Sequence, residues 1–169
     1  MAIVFALSLT LVTRIYAFEP RGVRQSSMYP TIEDHDRVFI NKMCYYTSKP
    51  NRGDVIVFHP NKGSGDDLIK RVIGLPGESI SISGDDVYIN GKLFVEDLDK
   101  QKTDYKQDFN ETPEISEKGI KLDSDEYYVV GDNRNVSMDS RSFGPIKSSQ
   151  IVGKAFFVFW PLDHVGLIK

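Results

Sequence analysis

Val87-Tyr88-Ile89-Asn90-Gly91-Lys92-Leu93-Phe94-Val95 reads as two short strands joined by a two-residue turn. An Asn-Gly pair between apolar, β-branched and aromatic runs is a strong hairpin signal, because both residues tolerate the positive φ a type I′ turn demands. The texture on either side agrees. Upstream, Ser79 to Ser83 alternates polar and apolar residues, and Leu68 to Ile73 is a strand closed by Gly74-Leu75-Pro76-Gly77. Asp54-Val55-Ile56-Val57-Phe58 is a continuous apolar strand entered through Asn51-Arg52-Gly53, and Arg37 to Asn41 is a shorter one. Downstream, Tyr127 to Val130 resumes the sheet, and Ile151 to Trp160 is a long apolar strand ended by Pro161. No amphipathic helix and no repeat stands out after the N-terminal segment. The expected fold is mainly β.

Composition allows one such domain. The chain has 169 residues, of which 40% are apolar and 27% charged, with a net charge of −3. That length and apolar share suit one core of ordinary size. The acidic balance, with no basic block, argues against nucleic acid as a partner. Cys44 is the only cysteine, which rules out an internal disulfide and reads as an inert buried thiol. His35, His59 and His164 are scattered without ligand spacing, so neither a metal nor a cofactor is expected.

Two segments stand apart from the sheet. Ala2 to Phe18 is almost wholly apolar and would span roughly 25 Å as a helix. A membrane anchor over 1–18, a cleavable signal peptide and a buried helix compete here. The missing positive n-region argues against the signal peptide. Arg14 lies near the end of the apolar run and Arg21 and Arg24 follow it, and the positive-inside tendency would then put the following domain in the cytoplasm. Either the true N-terminus lies upstream of Met1 or the folded domain overrides that bias. Residues 96–126 turn polar and charged and read as a solvated insertion, with room for a short strand of its own, within a domain spanning 19–169.

Three stretches carry chemistry. In Ser26-Ser27-Met28-Tyr29-Pro30-Thr31 a serine precedes a proline-stiffened turn. Along Leu68 to Ile73, Leu68, Lys70 and Val72 share one face and Ile69, Arg71 and Ile73 the other. A lysine between two aliphatic neighbours is a candidate for burial, which disfavours the ammonium and makes the amine able to take a hydroxyl proton. Gly131-Asp132-Asn133-Arg134-Asn135-Val136-Ser137-Met138-Asp139-Ser140-Arg141 concentrates side chains that orient an amine or form ion pairs. Each alone has a plainer reading: a surface turn, a lysine snorkelling to water, and an Asx-type loop.

Taken together and in order, the three stretches resemble the boxes of bacterial type I signal peptidase. Ser27 to Thr31 resembles the nucleophile box, Lys70 to Gly77 the general-base box, and Gly131 to Arg141 the third box. Arg52-Gly53-Asp54-Val55 matches a family strand start, and the likeness runs from about Glu19 to Gly166. The resemblance implies a signal-peptidase-like β domain behind an anchor helix, and a serine endopeptidase with a Ser/Lys dyad. Ser27 would be the nucleophile and Lys70 the general base. Ser137 would hydrogen-bond the Lys70 amine, while Asp139, Arg141 and Arg71 would form a supporting ion-pair network. Val23, Met28, Ile32, Leu68 and Ile69 would wall the small pockets that select Ala-x-Ala. The implied partners are the signal peptides of exported preproteins and a lipid bilayer. The implied location is a cell or thylakoid membrane, single-pass, with the catalytic domain on the outer, periplasmic or lumenal side.

One departure matters. Many family members carry a Pro-Ser pair just before the nucleophile box, whose serine donates to the oxyanion; here Arg24-Gln25 stands there. The Ser27 backbone N–H and the Gln25 amide are then the candidate oxyanion donors. The Gram-positive branch also lacks that hydroxyl. An inactive homologue that binds signal-peptide-like segments is the alternative this departure raises. A self-cleaving repressor-type protease would need a DNA-binding domain or a cleavable arm, and neither is visible.

Overall fold

In the Val87–Val95 stretch, Asn90 and Gly91 adopt φ of 52° and 77°, the left-handed pair that closes a two-residue hairpin. The computed structural model describes residues 17–60, 66–83, 86–94 and 119–169. The expected anchor therefore lies outside the described residues except for Ala17 and Phe18, as do most of the polar insertion and Val95. Among the described residues no helix is long and apolar enough to cross a membrane.

The hairpin strands are β6 (Asp86–Ile89) and β7 (Lys92–Phe94), with Val87 opposite Phe94 and Ile89 opposite Lys92. β5 (Ser79–Ser83) flanks β6 and turns Ile80 into a core with Val87, Ile89 and Tyr128. On its other edge β5 pairs with β8 (Ile120–Lys121), so the end of the insertion supplies a strand. Leu122, just beyond, is buried in the same core. This antiparallel sheet has the order β7-β6-β5-β8.

A larger sheet carries the rest. Its strands are β1 (Phe18–Gly22), β2 (Arg37–Asn41), β3 (Val55–Phe58), β4 (Leu68–Gly74), β9 (Glu126–Val130), β10 (Ile146–Lys147), β11 (Ile151–Trp160) and β12 (Gly166–Leu167). They run in the order β1-β2-β11-β3-β4-β9-β10, with β12 on β11. β1 begins at Phe18, the last residue of the expected anchor segment, so the sheet opens one position early. β11 pairs antiparallel with β2, β3 and β12, and register shifts along it mark where this long strand bends. β3 is buried throughout, as its unbroken apolar run requires. Cys44 is only half buried and opens a single helical turn, α1 (Cys44–Thr47), with its thiol on the Asn41 carbonyl; burial raises its pKa. The fold is mainly β, as read.

Candidate active site

Ser27 sits in a single 3-10 turn, Ser26–Met28, entered from an extended Gln25 with φ −145° and ψ 145°. The turn is pegged into the core from behind. Met28 and Ile32 are fully enclosed, packed with Val38, Ile40 and Val55. Burying two such side chains contributes roughly 1.5–3 kcal/mol each, enough to hold a short turn in one conformation. The Ile32 N–H donates to the Met28 carbonyl at 2.9 Å, closing the chain over the turn, and Tyr29–Pro30 is a cis peptide. Ser27 is left 5% exposed.

Lys70 reaches this hydroxyl from β4. Its strand neighbours Leu68 and Val72 and its cross-strand partner Ile56 are aliphatic, and the side chain is 1% exposed. Nζ donates a hydrogen bond to Ser27 Oγ at 2.7 Å. Burial pulls the amine down to a pKa of about 8, against the opposing pull of the Asp139 and Asp132 carboxylates. The amine thus loses its proton at about pH 8, well below an ordinary lysine, while touching a hydroxyl. At that distance a neutral amine can accept a hydrogen bond from the hydroxyl.

The 131–141 loop holds this pair in place. Asn133 fastens the serine turn twice, its backbone N–H on the Ser27 carbonyl at 3.0 Å and its Nδ2 on the Ser26 carbonyl at 3.1 Å. Gly131 permits that approach. A Cβ on it would stand 2.4 Å from the Ser27 carbonyl oxygen and 2.2 Å from Ser137 Oγ. Asp139 caps a short helix, α2 (Ser140–Phe143), and accepts from the Gly131 N–H at 2.9 Å. Arg141 Nε and Nη2 each reach Asp139 at 2.9 Å. Burial alone would raise the Asp139 carboxyl, but the hydrogen bonds and charge of Arg141, with help from the Gly131 N–H, hold it below its ordinary value.

Two expectations are corrected by this geometry. Asp139, Arg141 and Arg71 are held in two close ion pairs, the second made with Asp132. Asp139 pairs with Arg141, while Arg71 pairs with Asp132 through Nε at 2.8 Å and Nη2 at 2.7 Å. The reason is strand alternation: Arg71 leaves β4 on the face opposite Lys70, and Asp132 is the carboxylate that meets it there. Ser137 is buried beside the Ser27 carbonyl, but its Oγ has no hydrogen-bond partner, so the expected bond to the Lys70 amine is not formed. The hydroxyl leans towards Asp139 and helps to keep that carboxylate ionised without closing a well-shaped bond.

A cleft of about 390 Å³ opens beside Ser27, lined by Arg24, Gln25, Ser26, Asp34, Val136 and Met138. Gln25, the second oxyanion candidate, lines the same cleft as Ser27. None of the five expected pocket residues lines this cleft. Val23, Met28, Ile32 and Ile69 pack into one core cluster and Leu68 against another, as apolar side chains do when a core is within reach. Asp132, Asn133 and Gly131 belong to the stretch that resembles the third box, which gives them no individual role. Their signal was the density of Gly, Asp and Asn between two elements, which marks a loop that bonds to its surroundings.

A hydroxyl in contact with a buried amine, on a turn fixed by core residues and a loop of ion pairs, is the equipment of a serine hydrolase that works by acyl transfer. Comparison with known proteins gives the family. The family model described as "Signal peptidase, peptidase S26" matches residues 1–160. Signal peptidase I P of Bacillus subtilis subsp. natto is 40% identical over 99% of this chain and 91% of its own length. Probable signal peptidase I-2 of Synechocystis sp. is 37% identical over 98% of this chain and 73% of its own length. The crystal structure of a signal peptidase I from Enterococcus faecalis V583 aligns with a TM-score of 0.51 at 38% identity, covering 63% of this chain and 97% of that one. The chain belongs to the signal peptidase family, peptidase S26, and is a serine endopeptidase of the signal peptidase I kind.

Proposed function

We propose that this endopeptidase removes signal peptides from exported preproteins after an Ala-x-Ala pattern, with Ser27 as nucleophile and Lys70 as general base. The observation that carries the reading is the 2.7 Å contact between Lys70 Nζ and Ser27 Oγ, made by an amine with a pKa of about 8. In the first half-reaction the neutral amine takes the Oγ proton as that oxygen bonds to the scissile carbonyl carbon. Collapse of the tetrahedral adduct breaks the C–N bond, and the ammonium returns its proton to the departing amine. Water then gives a proton to Lys70, attacks the ester carbon and releases the acid, and Ser27 Oγ recovers the proton.

The Ser27 N–H and Gln25 amide serve the oxyanion. The substrate lies extended along the edge at Arg24, by main-chain pairing. Residues 1–18 act as a single membrane anchor, in a cell or thylakoid membrane, with the catalytic domain on its outer, periplasmic or lumenal side. The exposed Val136 and Met138 at the cleft favour a bilayer-facing mouth.

The test is mass spectrometry of a preprotein before and after incubation with the detergent-solubilised full chain. Loss of the mass of a signal peptide cut after Ala-x-Ala, absent with Ser27→Ala, is expected. An intact preprotein would favour a binder that does not cut.

A further inference from the structure

We infer that His164 is a positioning residue for the substrate-binding edge, acting through Asp36; the inference rests on the proposed cleavage reaction. Asp36 is enclosed, at 1% exposure, and a carboxylate so buried must be satisfied by donors. Two are present on the same oxygen. The Glu33 N–H donates to Oδ2 at 2.8 Å, and His164 Nδ1 lies 2.8 Å from it. A carboxylate only accepts, so Nδ1 carries the hydrogen.

The backbone of Asp36 then fixes the segment that leads from β1 to the nucleophile. Its carbonyl accepts the Val23 N–H at 2.7 Å, and the His35 N–H donates to the Val23 carbonyl at 3.0 Å. Val23 thus spends both main-chain groups on the 35–36 turn. In an extended strand the next residue turns its N–H and C=O to the opposite edge. That residue is Arg24, whose main chain has no backbone partner among the described residues and which lines the cleft with Gln25 and Ser27. A peptide pairing there would add to one side of a segment whose other side is fastened to Asp36.

His164 is well mounted for this task. It ends the turn Leu162–His164 that follows β11, and β12 immediately returns to pair with β11 at Val158. Further on, the Lys169 carbonyl accepts from Arg71 Nη1 at 2.8 Å. The segment is therefore anchored on both sides of the imidazole. Among the described residues no hydrogen bond or ion pair joins His164 to Ser27 or Lys70, so its influence falls on how substrate is held and not on the bond-making step.

The experiment compares the full chain with His164→Ala and His164→Asn on a fluorogenic peptide containing Ala-x-Ala. His164→Ala should raise KM about fivefold with kcat within about twofold, the signature of lost binding-edge order. His164→Asn, whose amide N–H can replace Nδ1, should recover most of the loss. An unchanged KM, or a fall in kcat alone, would mean that His164 only stabilises the fold and would overturn the inference. If the wild-type chain cuts nothing, the cleavage reading falls and takes this one with it. If it cuts normally and the variants match it, only this inference falls.

Discussion

Arg71 grips Asp132 with two parallel hydrogen bonds, Nε to Oδ1 at 2.8 Å and Nη2 to Oδ2 at 2.7 Å, one position after Lys70 on β4. The same guanidinium donates to the carbonyls of Gly53 and Lys169, both at 2.8 Å. Strand β4 thereby delivers the amine of Lys70 to one side and ties down the 131–141 loop on the other. Arg71→Lys keeps the charge but loses the planar fork. It should destabilise the protein by about 3 kcal/mol, because Asp132 is left buried and poorly paired. Urea unfolding with an unchanged m-value measures this; a loss within error would show that the pair is dispensable.

Gly131 separates the Ser27 carbonyl from Ser137. A methyl group there would meet the two oxygens at 2.4 and 2.2 Å, far inside van der Waals contact. Either the serine turn or the loop must shift to admit it. A displacement of about 1 Å at a reacting group costs on the order of a hundredfold in rate. Gly131→Ala should therefore lower kcat/KM by about that factor while circular dichroism still reports a folded β domain. Retained turnover would mean that the loop yields without moving Ser27.

These two positions also show what was legible in the sequence. The β2 and β11 boundaries were read as they stand, since alternation and turn residues are local signals. Burial of Lys70 was legible for the same reason: its neighbours on that face, Leu68 and Val72, are aliphatic. The helix Ser140–Phe143 is not legible in the sequence although Asp139 is an N-cap and Gly144 closes it at φ 82°, because a single turn has no apolar period. The pairing of Arg71 with Asp132 was not legible. It depends on the path of a loop through space, and two carboxylates seven positions apart look equivalent in one dimension. Met28 and Ile32, read as pocket walls, sit in the core beside the serine turn, because the core draws in the same apolar side chains.

Asp139 depends on Arg141. The carboxylate is fully buried, and Arg141 supplies two of its side-chain hydrogen bonds at 2.9 Å. Arg141→Ala should lower stability at pH 7 by about 3 kcal/mol, because an unpaired carboxylate remains inside. The sign of the pH effect is fixed by the depressed pKa of Asp139 in the folded chain. The stabilisation is present above the unfolded carboxyl value and disappears as pH falls through the folded one. The gap between wild type and variant should narrow in that acidic range. A gap that stays constant from pH 7 to pH 3 would remove the ion pair as its cause.

Lys70 links activity and stability through one proton. Its amine titrates at about 8 in the folded chain, against an ordinary value of 10.5. Below about pH 8 the enzyme holds an ammonium in contact with Ser27, and only the neutral fraction can act as a base. The value of kcat/KM should rise about tenfold per pH unit below the pKa and level off above it. The same displacement means that the folded state carries the buried charge at a cost of about 3 kcal/mol at pH 7. Between about pH 8 and 10.5 the unfolded chain binds a proton that the folded chain has released, so stability rises with pH across that window. Lys70→Met should therefore abolish cleavage and yet raise stability at pH 7 by up to about 3 kcal/mol, an advantage that shrinks towards pH 10.5. Urea unfolding at pH 7 and 10 measures both ends. A variant less stable than wild type at pH 7, or a rate flat from pH 6 to 9, would mean that Lys70 is not held as a destabilised, titrating amine.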